Sequence, residues 1–378
     1  MALVGGGPVG ATLACALEGS GLSVAVLEAK EKLEAPDPRA LALSEGCRLI
    51  LDRIGVWAAL APRTAAIETI HVSQRGGLGR VQLSAQECGV AALGHVAEYG
   101  DLYAALGARM LDSGATVLTG ARVTEVGATS GYGLVRYTRG DAERLITASL
   151  VVLSEGGKAL PPALRRDKEY GQSAVVCTVR TQRPHNRRAY ERFTADGPIA
   201  LLPLHDDYAL VWTTPSAQVE TRLALSEAEF LAQLQAAFGD RQGRFLAAGP
   251  RAAFPLKLSL AQDSGSPRVL RIGNAAHVLH PVAGQGFNLG VRDAWKLAEA
   301  LLDLPRERIG ATPMQAFQRQ RRMDIAGGSL MTDLLVEGFS NANPLLHHAR
   351  GAALAALDLL PPLKGLFARK MMFGSQSW

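Results

Sequence analysis

The sequence predicts an α/β fold: a Rossmann-like nucleotide-binding domain, an inserted and mainly antiparallel β domain, and a helical C-terminal tail. Three observations predict it. The chain opens as strand, glycine turn, helix and strand in "MALVGGGPVGATLACALEGSGLSVAVLEA". From about Lys158 to Gly265 the signal changes to alternating strands such as "SAVVCTV", "IALLPL" and "YALVWTT", with one helix near "SEAEFLAQLQAAF". Then Arg271 to Asp293, "RIGNAAHVLHPVAGQGFNLGVRD", returns to a short strand and a second glycine-rich turn that runs into the helical pattern "AWKLAEALLDL". Helix-then-strand rhythm interrupted by alternating strands is the pattern of a parallel sheet from which the chain departs and to which it returns.

Composition agrees with a folded enzyme-sized chain. Its 378 residues suffice for two domains, and 48% hydrophobic with 20% charged residues excludes disorder. Forty Lys+Arg against thirty-five Asp+Glu leave a net charge of +5, too mild for a nucleic-acid binder. The four cysteines, Cys15, Cys47, Cys88 and Cys177, lie far apart without metal or C-x-x-C spacing, as buried reduced thiols of a cytosolic protein do. The glycine turn begins at Gly5 and no run reaches transmembrane length, so a cytoplasmic protein is expected. The opening strand "MALV" is short, as if a few residues of the natural start were missing.

The first turn is Gly5-x-Gly7-x-x-Gly10, and Glu28 ends the next strand, roughly twenty residues on as a dinucleotide fingerprint requires. Gly5 permits the turn, Gly7 lets backbone approach a pyrophosphate, and Gly10 lets helix pack on strand. The helix N-terminus supplies free N–H groups and a positive dipole end. Glu28 would accept hydrogen bonds from ribose hydroxyls, which favours FAD or NAD over NADP.

In "EAPDPRALALSEGCRLILDRIGVWAAL", Arg39 occupies a proline-bounded loop and is read either as a diphosphate ligand or as a loop cap. A helix is expected from about Ser44, with Leu49, Ile50 and Ile54 on its apolar stripe. "IETIHVSQRGGLGRVQLSA" reads as a hairpin, an early excursion into the second domain. The expected boundaries are therefore 1–70, 95–158 and 266–344 for the nucleotide-binding domain, 71–94 and 159–265 for the β domain, and 345–378 for the tail. His277 and His280 have metal-like spacing but lack a third ligand at a useful distance, so no metal site is expected.

Four segments together carry a resemblance. "GGGPVGATLACAL", "DPRALALS", "VVLSEGG" and "GNAAHVLHPVAGQGFNLGVRDAWKLAEAL" resemble the motifs of class A flavoprotein monooxygenases, and most closely those of the ubiquinone-biosynthesis hydroxylases. The resemblance covers essentially the whole chain and implies the fold of para-hydroxybenzoate hydroxylase. It implies FAD as cofactor, NADPH or NADH as transient electron donor, and hydroxylation of a polyprenylated phenol, 2-polyprenyl-6-methoxyphenol, through a flavin C4a-hydroperoxide. A sibling hydroxylase acting at another ring position, an FAD-dependent reductase or dehydrogenase of prenyl lipids, and a non-catalytic FAD-binding assembly subunit are the alternatives.

Carried over residue by residue, the resemblance implies that Gly5, Gly7, Gly10 and Arg39 hold the diphosphate and Glu28 the adenosine ribose. Gly273 and Asn274 would approach the diphosphate and ribityl chain. Gly284, Gln285, Gly286, Phe287 and Asn288 would wrap the isoalloxazine with backbone groups, and Pro281 would lie along the flavin ring. Pro281, His280 and Gly284 are the candidates for positioning flavin and peroxide. The sequence departs from the family at Glu155-Gly156 with Ala159, where Asp-Gly and a Ser are usual, at Gly273-Asn274 in place of Gly-Asp, and at Asp101, where a basic residue often opens the helix. Arg109 lies farther along that helix.

Leu201, Pro203 and Trp212 in the β domain are read as candidate substrate contacts, with core packing as the equal alternative. The tail, "NPLLHHARGAALAALDLLPPLKGLFARKMMFG", is apolar with Arg350, Lys364, Arg369 and Lys370. It reads either as helices docked on the flavin domain or as a surface for a membrane or another ubiquinone-biosynthesis protein. The second reading places the enzyme peripherally at the inner face of the membrane.

Overall fold

The first strand is buried on both faces: Leu3 faces one way, and Ala2 and Val4 the other. This period of two runs across a five-stranded parallel sheet in the order 269–271, 151–153, 2–4, 25–28, 116–119. On one face, Leu3, Val26, Val152 and Leu270 meet Leu13, Leu106 and Val291 from the helices Pro8–Ala16, Tyr99–Asp112 and Gln285–Leu302. On the other, Val4, Leu27, Val151 and Val269 meet Val135 and Tyr137 of an antiparallel meander, Arg122–Ala128, Gly133–Arg139 and Ala142–Ala148. Strands buried on both faces read as continuous apolar runs, which is why "VVL" and "VLR" are legible. The meander is not evident in the sequence, because residues such as Arg122, Glu125 and Glu143 dilute its alternation.

The computed structural model describes residues 1–34, 37–77, 79–156, 165–261, 268–279, 284–305 and 344–374, with 309, 314, 317–319, 321 and 325. Among these, the second sheet has nine strands, eight of them in the order 277–278, 252–261, 165–181, 207–215, 197–204, 188–194, 69–74, 80–84. The expected hairpin is present as Thr69–Gln74 and Arg80–Ser84. It joins this sheet by parallel pairing with Arg188–Thr194. One face of the sheet is sealed by the helix Glu227–Phe238, whose start is fixed by a capping box: Ser226 Oγ accepts from the Glu229 N–H and Glu229 Oε2 from the Ser226 N–H, at 3.3 and 2.9 Å.

A third, small sheet, Ala40–Ser44, Gly94–Glu98 and Ala65–Ile67, joins the two. Val96 and Ile67 pack on Ala189 and Ala209 of the large sheet, whereas Leu43 and Ala97 belong to the core of the parallel one. The expected helix after Ser44 spans Glu45–Arg53, and Ser44 Oγ caps it by accepting from the Cys47 N–H at 3.3 Å. The tail forms two helices, Pro344–Leu359 and Pro361–Phe373. Leu354 and Met372 pack on Val81 and Leu83 of the hairpin. The approach is close enough that a Cβ on Gly79 would lie 1.9 Å from the Gly351 carbonyl oxygen.

Candidate functional site

The chain turns sharply after Val4 because Gly5 adopts φ +101°, and a Cβ there would stand 2.9 Å from the Glu155 nitrogen. Gly10 is equally constrained: a Cβ would lie 2.0 Å from the Gly5 carbonyl oxygen and 2.7 Å from Ser154 Oγ. That hydroxyl lies 3.0 and 2.9 Å from the Val4 and Gly5 carbonyl oxygens, tying the turn to the strand 151–153. Gly7 differs. A Cβ on it meets no protein atom within 4 Å, because the residue faces an open cleft at the start of the helix Pro8–Ala16.

The cleft has a volume of about 700 Å³ and runs between the two large sheets. Glu28 lines it, 8% exposed, with Oε2 accepting from the Gly6 N–H at 2.7 Å and Oε1 from the Lys30 N–H at 2.9 Å. Each carboxylate oxygen keeps a lone pair for a ribose hydroxyl. Arg39 also lines the cleft. It donates from Nε to Asp37 Oδ1 at 2.8 Å and stacks on Phe254 and Tyr99 at 4.8 and 5.4 Å from the ring centroids. Its hydrogen bonds to Asp37 hold the guanidinium above its usual pKa, so Arg39 both caps its loop and presents a fixed charge to the cleft.

At the far side of the sheet, Gly273 and Asn274 follow the strand Val269–Arg271, and Asn274 is exposed on the cleft wall. Gly273 is held in place by a network that sequence reasoning missed. The Gly273 N–H donates to Asp293 Oδ2 at 3.0 Å, His277 Nε2 lies 2.6 Å from the same oxygen, and Arg321 Nε donates to Oδ1 at 2.8 Å. Burial raises the Asp293 carboxyl, but His277 and Arg321 together with these hydrogen bonds bring it down to about 2. His277 therefore works behind the loop and not in the cleft. The available signal was an acid on an otherwise apolar helix face, among Leu289, Val291, Ala294 and Leu297.

The helix Gln285–Leu302 begins at Gly284, whose φ of +63° is left-handed and whose Cβ position would lie 3.3 Å from Ala42. Asn288 fastens this start to the strand Ala40–Ser44. Its Nδ2 donates to the Ala42 and Gly284 carbonyls and its Oδ1 accepts from the Ser44 N–H, each at 2.8 Å. Its side chain is thus committed to shaping the turn. Gly284, Gly286 and Phe287 face the cleft, and the first-turn N–H groups of the helix form an electropositive terminus there. His280 and Pro281 lie outside the described residues, as does Ala159. Arg109 pairs with Glu18 and Asp101 with Arg63, both away from the cleft lining.

Beside this helix start lies a second cavity of about 390 Å³, walled almost wholly by apolar side chains. Ala40, Leu41, Val211 and Gly284 line both spaces, so the two adjoin at the start of the helix. The large sheet supplies one wall through Ala200, Leu202 and Val211, and the tail helices another through Leu354, Phe367 and Met371. Leu201, Pro203 and Trp212, the expected substrate contacts, are not on this wall. Strand alternation turns them to the opposite face, where Leu201 and Trp212 pack in the core with Phe230 of the helix Glu227–Phe238, the Trp212 and Phe230 rings 5.5 Å apart. Their immediate neighbours Ala200, Leu202, Val211 and Thr213 line the cavity instead.

The frame fits FAD on its own geometry: an open position at Gly7, a ribose acceptor at Glu28, a second glycine turn at Gly273 and a helix N-terminus at the far end of one continuous cleft. Bound there, FAD supplies the electron transfer and oxygen activation of the reaction. The residues lining the cleft would bind and orient it, and the helix start would offer N–H donors to developing negative charge.

Comparison with known proteins agrees with this assignment. The family model described as FAD binding domain matches residues 1–326. A ubiquinone hydroxylase UbiL from Rhodospirillum rubrum is 36% identical, covering 98% of this chain and 88% of its own. The 3-demethoxyubiquinol 3-hydroxylase of Escherichia coli is 30% identical, covering 96% of each. In structure, a p-nitrophenol 4-monooxygenase from Pseudomonas putida superposes with a TM-score of 0.78 at 16% identity, over 100% of this chain and 98% of its own, which shows the shared fold. With the glycine frame, the cleft and these relatives in agreement, the chain belongs to the FAD-binding family of class A flavin monooxygenases and, within it, to the aromatic ring hydroxylases of ubiquinone biosynthesis.

Proposed function

We propose that this enzyme hydroxylates the ring of 2-polyprenyl-6-methoxyphenol, using NADPH or NADH and O₂. The observation that carries the reading is the junction at Gly284: an apolar cavity opens beside the part of the cleft where the helix start would meet the flavin ring. A prenylated phenol has a polar ring and a long apolar chain. The ring would sit near Gly284, and the chain would run along the wall formed by Leu354, Phe367 and Met371, where burying each methylene contributes about 0.8 kcal/mol. Exclusion of water by this wall would protect the oxidising species from side reactions.

The tail supports a peripheral membrane location at the inner face. Leu359, Leu360, Leu363 and Leu366 are 78%, 51%, 49% and 65% exposed, and exposed Arg369 and Lys370 follow them. Among the described residues no single helix is long and apolar enough to cross a membrane.

Deleting the gene in its host and identifying the accumulated quinone precursor by mass spectrometry tests the substrate. Accumulation of 2-polyprenyl-6-methoxyphenol, relieved by the intact gene and not by Gly286→Trp, supports the assignment. A Cβ at Gly286 meets only ordinary contacts with Leu279, so the indole would project into the cleft without rebuilding the helix. A different precursor would assign the chain to a hydroxylation at another ring position, and normal ubiquinone in a genome without a redundant hydroxylase would overturn the reading.

A further inference from the structure

One residue on the apolar wall does not belong to it by chemistry. Glu191 sits in the middle of the strand Arg188–Thr194, where its cross-strand neighbours are Val72 on one side and Ala200 on the other. The same row continues to Val81 through Val72 and to Val211 through Ala200. All five residues line the second cavity, four apolar and one a carboxylic acid.

Glu191 is half-buried on the wall of this cavity. Among the described residues it has no hydrogen-bond or ion-pair partner. Its neighbours Tyr190 and Arg192 alternate to the other face, and the Tyr190 ring packs there against Phe238 at 5.6 Å. Burial without a compensating charge pushes the Glu191 carboxyl up to about 7. An unpaired carboxyl set among apolar wall residues is destabilising, because it loses hydration without gaining a partner. A wall position with that cost is expected to serve a ligand, and among the described wall residues Glu191 is the only acid.

We propose that Glu191 is the polar anchor of the substrate pocket: its carboxylate accepts a hydrogen bond from the hydroxyl of a prenylated phenol bound beside Gly284. The contact would fix which edge of the ring faces the cleft, and so which carbon reacts. By drawing the phenolic proton towards carboxylate oxygen it would also leave more electron density on the ring, which an electrophilic hydroxylation requires. The anchor rests on the phenol reading given above, and it names the residue that distinguishes a phenol from an apolar isoprenoid of the same length.

The test compares two probes on the FAD-loaded enzyme, 2-farnesylphenol and its methyl ether, 2-farnesylanisole, with binding followed by the change in flavin fluorescence. The ether keeps the chain and ring and loses the donor. Wild type is expected to bind the phenol about 10- to 100-fold more tightly, the range for a buried hydrogen bond to a charged group. Glu191→Leu is expected to bind both equally and to keep its affinity for the ether, while Glu191→Gln, which still accepts a hydrogen bond, recovers part of the preference. Thermal unfolding of Glu191→Leu is expected at or above the wild-type temperature, because an unpaired acid has been removed from an apolar wall. A Glu191→Leu enzyme that retains the phenol preference overturns the anchor, as does a wild type that binds phenol and ether alike. A wild type that binds neither probe instead overturns the prenylated-phenol reading on which the anchor rests.

Discussion

His277 Nε2 lies 2.6 Å from Asp293 Oδ2, with both side chains sealed from solvent, and the same oxygen accepts the Gly273 N–H. The second glycine turn is thus held from behind by a charged network that also includes Arg321. Replacing Asp293 by Asn leaves Arg321 buried without its counter-charge, and breaking such a pair costs about 3–5 kcal/mol. Chemical denaturation of Asp293→Asn is expected to show a loss of that size together with faster release of FAD. The pH dependence gives an independent check. The folded carboxyl sits at about 2, below the ~3.9 of an unfolded Asp, so its contribution is complete above about pH 4 and disappears as pH falls towards 2. The gap between wild type and Asp293→Asn is expected to narrow by about 2 kcal/mol across that window, and a constant gap would show that the charge is not what matters.

Gly7 and Gly10 carry the same letter and will fail differently. A Cβ on Gly10 would overlap the Gly5 carbonyl oxygen, whereas one on Gly7 projects into the open cleft. Gly10→Ala is therefore expected to destabilise the apoprotein. Gly7→Leu is expected to leave apoprotein stability within about 0.5 kcal/mol while lowering bound flavin, measured by absorbance per protein after gel filtration. Normal flavin content in Gly7→Leu would remove this turn from the binding site.

Much of this frame is legible in the sequence because its constraints are local. Gly5, Gly10 and Glu28 lie on one continuous strand-turn-helix-strand segment, where spacing alone brings them together. Gly273 and Gly284 are visible as turn residues, but what holds them is not: His277, Asp293 and Arg321 meet behind Gly273, and Asn288 meets Ala42 and Ser44 beside Gly284, only once the helix Gln285–Leu302 has packed in place. In the β domain the sequence left substrate contact and core packing open for a different reason. Alternation identifies the strand Gly197–Leu204 but not which of its faces meets the helix Glu227–Phe238, and a shift of one residue exchanges the cavity wall for the core. Large apolar residues such as Leu201 and Trp212 proved to be core, and the wall uses the smaller Ala200 and Val211.

The parity assignment can be tested by a pair of adjacent substitutions. Ala200→Phe adds a ring on the cavity side and is expected to raise the apparent KM for prenylated phenol at least tenfold, with FAD binding and melting temperature little changed. Leu201→Ala empties a fully buried core position on the other face. It is expected to cost about 2–5 kcal/mol of stability with KM preserved in the folded fraction. Reversal of these two phenotypes would place the substrate on the opposite side of the sheet.

The helix Pro361–Phe373 has a double relation to its surroundings. Phe367 and Met371 face the cavity, while Leu363 and Leu366 on the same helix face solvent, next to exposed Arg369 and Lys370. An arrangement of this kind would suit a lipid-soluble substrate, because an element that touched the bilayer would also be a wall of the pocket proposed for the prenyl chain. The double variant Leu363→Asp/Leu366→Asp changes only exposed positions, so its thermal stability is expected to remain within about 1 kcal/mol of wild type. Co-sedimentation with vesicles of phosphatidylcholine and phosphatidylglycerol is expected to fall at least fivefold, and turnover of vesicle-embedded prenylphenol to fall with it. Turnover of a short-chain, water-soluble phenol is expected to stay near wild type, because the pocket itself is unaltered. Undiminished vesicle binding by the double variant would mean that these leucines do not meet the membrane and that substrate enters by another route.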